Sequence, residues 1–146
     1  MHLIFEPYHG ALPLKFGLTT PEASQILGIP RHRQATSYGP EGQEWVYDQF
    51  NLAFDTEDKL YQIGFDKSFS GELLFRGIEI MKGADALRRL ADIDGEPFIW
   101  VGFIMLMNLG LRLGGYHESA DEGRTVSLFK RGRYDAKIPR FKPFKT

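Results

Sequence analysis

Four histidines are the side chains here best able to move a proton near neutral pH or to hold a metal. They are His2, His9, His32 and His117, and none stands three or four residues from another. The stretch "HESADEGR" (117–124) sets His117, Glu118, Asp121 and Glu122 within six residues. Such a group could close round a cation if the loop folded back, but without ligand spacing it reads as a solvated acidic turn. There is no cysteine, which removes disulfides, thiol nucleophiles and cysteine-ligated metals together. Only Ser or Thr with a histidine is left for nucleophilic chemistry, and His117 would be the base. No spacing ties it to a serine, and "FSGEL" around Ser70 lacks the Gly-x-Ser-x-Gly elbow. "GLRLGG" (110–115) resembles a phosphate loop but leads to no helix, so its glycines mark a bulge or bend. The carboxylate pairs in "DTED" and "ADE" sit in polar turns, where nothing raises a carboxyl pKa. The expectation is a chain without catalytic residues, metal or cofactor.

Binding chemistry is better represented. Trp45, Tyr47, Trp100 and Tyr116 are of the types that anchor protein interfaces. Asp55, Glu57 and Asp58, with Glu118, Asp121 and Glu122, would supply an acidic surface beside them. Residues 130–146 carry seven Lys or Arg against one Asp, while the rest of the chain carries eleven against eighteen Asp or Glu. An acidic body therefore bears a basic tail. That tail interleaves its cations with Tyr134, Phe141 and Phe144, the mixture a single-strand nucleic-acid binder uses, which gives the alternative reading.

These residues need elements to position them. In "LTTPEASQILGIP" (18–30), Thr19 and Glu22 match a capping box and Pro21 suits the first turn. Ala23, Ile26 and Leu27 form one apolar stripe, and Gly28 and Pro30 stop the helix, predicting a helix over 20–27. "QEWVYDQ", "NLAFDTE", "KLYQIGFD" and "ELLFRGIEIM" read as strands, with "DTED" as a hairpin turn. "GADALRRLADID" (83–94) predicts a second amphipathic helix. After it "WVGFIML", "NLGLRLGGY" and "TVSLFKRGR" read as strands, "FIWVGFIML" being apolar enough for a central strand buried on both faces. The order helix, strands, helix, strands, with the echo of "NLAFD" in "NLGLR", predicts an α+β fold. It would hold two tandem helix-then-antiparallel-meander units, with the short helices covering one face of the sheet. The pseudo-repeats would span about 14–70 and 72–135 of a single domain, 1–146, with a basic C-terminal tail at 136–146.

The 146 residues, 42% hydrophobic with twelve Phe, suffice for one packed core. The N-terminal stretch lacks the charged and apolar regions of a signal peptide, and the longest uncharged run, 98–111, is too short to span a bilayer. The expected location is the cytoplasm, with no membrane partner.

"FGLTTPEASQILGIP" followed by "EWVYDQ" and "NLAFDTEDKLYQIGF" resembles the unit of BamE/SmpA-type small lipoproteins and of the β-lactamase-inhibitor-protein fold. Gly17, Leu18, Thr19, Leu27, Gly28, Pro30, Trp45, Tyr47, Phe54 and Asp55 carry the likeness over residues 16–65. A weaker copy runs from about 80 to 131. Without the lipoprotein cysteine, the resemblance implies a protein like the small bacterial immunity proteins or a stand-alone inhibitor. Such a protein would occlude a cognate toxin or enzyme, and the acidic body would suit a basic one. An open meander edge would also allow a homodimer.

Overall fold

The computed structural model describes residues 1–36, 41–116 and 123–145. Its strands are β1 (His2–Glu6), β2 (Gly10–Leu12), β3 (Leu14–Lys15), β4 (His32–Ala35), β5 (Gly42–Val46), β6 (Phe50–Asp55) and β7 (Leu60–Asp66) in the first half. Then follow β8 (Glu72–Phe75), β9 (Ile78–Glu79), β10 (Phe98–Trp100), β11 (Phe103–Leu106), β12 (Leu111–Gly114), β13 (Thr125–Phe129) and β14 (Lys142–Pro143). Helix α1 (Thr20–Leu27) precedes β4, α2 (Ala86–Asp94) precedes β10, and a 3-10 helix (Asp135–Arg140) precedes β14. A five-stranded sheet has the order β3-β2-β1-β8-β9, and a nine-stranded sheet the order β14-β10-β11-β12-β13-β7-β6-β5-β4. Every pairing is antiparallel except β1 with β8.

This corrects the expected α+β arrangement of helix-then-meander units. Strand makes up 41% and helix 18%, with three helices among the described residues. The physical reason lies in what covers the larger sheet. Its inner face, with Leu52, Ile63, Phe65, Leu111 and Leu128, shares one core with Leu3, Phe5, Leu14, Leu73 and Phe75 of the smaller sheet. The N-terminal "HLIFE", unassigned from the sequence, alternates exposed and buried with period two, as a strand with one buried face does. Sheet packs on sheet, and the two α-helices add Ala23, Ala86 and Leu90 to that core.

Two expected strands are hairpins. "ELLFRGIEIM" turns at Arg76 and Gly77, and "FIWVGFIML" turns at Val101 and Gly102. Both residues of each turn have positive φ, from 44° to 86°, the geometry that joins strands without spoiling their twist. The second segment is therefore no central buried strand, and Val101 is 71% exposed at its tip.

Helix α1 forms where its signals place it. Thr19 Oγ1 accepts from the Glu22 N–H, and a Glu22 carboxylate oxygen accepts from the Thr19 N–H at 3.1 Å. Gly28 ends it at φ 78°. The Thr20 backbone N–H and hydroxyl both donate to Asp58, which ties the helix start to the β6–β7 turn. Thr19→Ala is expected to lower stability by about 1 kcal/mol in urea denaturation. An unchanged midpoint would show that packing alone holds the helix.

Candidate functional site

The outer face of the nine-stranded sheet carries the polar groups. Register places Met105, Arg112, Ser127, Gly64 and Asn51 side by side across five strands. A second row, one step along, runs Phe129, Gln62, Ala53, Glu44 and Gln34. Arg112, Ser127, Gly64 and Gln62 each sit between buried apolar neighbours, as the alternation of the pleat requires.

The rows are wired by hydrogen bonds. Arg112 donates from Nη1 to the Tyr134 hydroxyl at 2.9 Å and from Nη2 to Ser127 Oγ at 3.1 Å. Tyr134 in turn donates to Gln62 Oε1 at 3.4 Å, which also accepts from Arg133 Nε at 3.0 Å. Glu44 accepts from Gln34 at 2.7 Å and from Asn51 at 2.9 Å. Gln62 and Glu44 are 2% and 4% exposed, so these bonds replace water for groups that would otherwise be costly to bury.

At one end the face opens into a cleft of about 460 Å³, lined among others by Tyr47, Phe50, Asn51, Gly64, Phe103, Arg112 and Ser127. Gly64 makes its floor. A Cβ there would meet Asn51 Oδ1 at 2.4 Å, so any side chain would displace the Asn51 amide. Tyr47 and Phe50 stack at 4.9 Å on one wall, and Phe103 forms another. The Arg112 guanidinium lies 4.5 Å from the Phe103 ring centroid and 5.7 Å from that of Tyr134. Burial pushes the Tyr47 phenol above its ordinary range, against the pull of Arg33, so the hydroxyl keeps its proton and donates to the Gly28 carbonyl.

The other residues singled out from the sequence are scattered. Trp45 is in the core against Phe54, and Tyr116 is buried with its hydroxyl on the Ile80 carbonyl at 2.7 Å. These two are corrected from surface anchors to packing residues. Trp100 is half-buried against Tyr134 and Phe141, and of the four aromatics only Tyr47 reaches the cleft. Asp55 accepts from the Glu57 and Lys59 N–H groups, Asp58 is spent on α1, and exposed Glu57 faces Lys59 at 3.8 Å. His117, Glu118, Asp121 and Glu122 lie outside the described residues. Of the remaining histidines, His2 pairs with Glu72 at 2.8 Å, His9 stands by Glu6 and His32 is exposed on β4. Among the described residues no three metal-ligating side chains gather.

The basic C-terminal segment is folded back onto this face. Tyr134 is 3% exposed and packs with Met105 and Phe129, Phe141 packs beside them, Phe144 joins the main core, and β14 pairs with β10. The rings that a nucleic-acid reading would use for stacking are thus engaged within the protein. Arg131 lies 4.1 Å from the ring centroid of Tyr8, whose hydroxyl donates to the Met107 carbonyl. Arg133 lies over Tyr134 at 4.4 Å.

Comparison with protein-family models, curated proteins and solved structures yields no match. Among the described residues no helix is long and apolar enough to cross a membrane.

Proposed function

We propose that this chain is a non-enzymatic protein-binding module, of the immunity or inhibitor type. It would work in a cytoplasm and occlude a cognate protein with the outer face of its nine-stranded sheet. The observation that carries this reading is Arg112. It stands half-buried between two rings at the edge of an open cleft walled by Tyr47, Phe50 and Phe103. Arginine and tyrosine in a preformed, partly dry setting are the residues on which interface energy concentrates. The polar groups behind them are already satisfied, so the face needs little reordering to bind. The acidic balance of the first 129 residues would speed encounter with a basic partner, while the cleft would hold it.

The test uses the tagged full-length chain on its native lysate, as wild type, Arg112→Gln and the distant control Arg88→Gln. One stoichiometric protein, held at high salt by wild type and control and lost by Arg112→Gln, is the expected result. Equal retention by all three would remove the cleft from the interface. Retention of nucleic acid alone, shed at high salt, would transfer the function to the basic C-terminal segment.

A further inference from the structure

The chemistry of the cleft also specifies what the partner must insert, an inference that rests on the cleft being the binding surface. Among the described residues Arg112 is a cation without an anion. Its two hydrogen bonds go to neutral hydroxyls, and it enters none of the ion pairs among the described residues. A guanidinium presents five N–H donors in one plane, so most of its fork is left over. Phe103 and Tyr134 fix that plane, which removes the rotamer cost a free arginine would meet on binding. Ser127 accepts from Arg112, so its own proton is free to point into the cleft, and Thr125 lines the same side.

Charge and shape narrow the occupant. Asp48 and Asp66 also line the cleft. Asp48 is matched by Arg31 at 2.8 Å, and Asp66 accepts from the Ser68 N–H and hydroxyl, so neither approaches Arg112 as a partner. Both would nevertheless oppose a dianion, while a single negative charge leaves the balance favourable. The stacked Tyr47 and Phe50 rings offer an apolar wall to whatever carries that charge. We infer that the cleft is a receptor for a carboxylate on an aliphatic stem, the acidic side chain of a protein partner, bound by the Arg112 fork and the Ser127 hydroxyl.

The test is a titration of the 15N-labelled full chain, read at the Arg112 Nε–H and at the backbone amides of Gly64 and Ser127. The probes are N-acetylglutamate α-amide, which has only the side-chain carboxylate, N-acetylphenylalanine, which has only a terminal one, and inorganic phosphate. Saturable shifts with the first probe are expected, weaker by about tenfold in Arg112→Gln. Arg112→Lys should restore part of the loss and Ser127→Ala should weaken binding severalfold, both with unchanged dispersion elsewhere. Tighter binding of phosphate, a response to the terminal carboxylate alone, no saturation with any probe, or equal binding by Arg112→Gln would each overturn the inference. The two readings separate cleanly. Carboxylate binding with partner capture indifferent to Arg112 removes the cleft from the partner interface and leaves it a carboxylate site only. Partner capture lost in Arg112→Gln without any carboxylate binding sinks the receptor only.

Discussion

Replacing Tyr134 with alanine is expected to cost about 4 kcal/mol of folding stability. The ring is almost wholly buried, 4.7 Å from Phe129 and 6.0 Å from Trp100, and Arg133 covers it. Its removal would open a void in the aromatic layer and loosen the anchor of residues 135–145. Tyr134→Phe keeps the ring and removes only the hydroxyl between Arg112 and Gln62, so about 1 kcal/mol is expected. Urea denaturation of the three proteins decides the matter. If the alanine variant unfolds at nearly the wild-type midpoint, the C-terminal segment is an ornament on the sheet and not part of its packing.

Asp94→Ala is expected to cost about 3 kcal/mol, by stranding backbone donors inside the protein. Asp94 closes α2 and is 5% exposed. Its carboxylate accepts from the Asn108 and Leu109 N–H groups at 2.9 and 3.1 Å and from Glu96 at 3.2 Å, binding the helix end to the β11–β12 turn. Burial pushes this carboxyl above the ordinary range, the three N–H donors pull it partly back, and Glu96 adds a smaller push upward. The folded protein therefore keeps this proton to higher pH than the unfolded chain does. Stability falls as pH rises from the usual aspartate range through the raised folded value, then levels. Asp94→Asn has no such step. The wild-type midpoint minus that of Asp94→Asn should fall across this window, and a difference that rises instead would reverse the assignment.

Local signals in the sequence were informative where the physics is local. The capping box, Pro21 and Gly28 act within one turn, and α1 occupies Thr20–Leu27 as they require. What failed depends on distant partners. A two-residue turn at Val101 and Gly102 has no proline or asparagine to announce it, so an apolar run passed for one strand. The smaller sheet needs β1 beside β8, about seventy residues away, a pairing no pattern within "HLIFE" can disclose. The candidate site shows the same division. Arg112 in "LRL", Ser127 in "VSL" and Gly64 in "IGF" are each a polar residue or a glycine between apolar ones, a signal that those positions face away from the core. Their alignment into one row follows from register, which only the folded sheet supplies. Trp45 and Tyr116 misled because residue type alone does not separate an interface anchor from a core residue.

The junction between β7 and β13 has a consequence for how the chain reaches this shape. Gln62 lies opposite Phe129, and Asp66 opposite Thr125, so the middle of the larger sheet is closed by a contact spanning about sixty residues. During synthesis β4 to β7 can form early, but the free side of β7 has no neighbour until residue 129 has left the ribosome. Folding should then be slow for a protein of this size, because the entropy of that closure is met before its contacts form. Until it closes, Ile63 and Phe65 border an unpaired edge, and that interval is when the nascent protein is most exposed to aggregation.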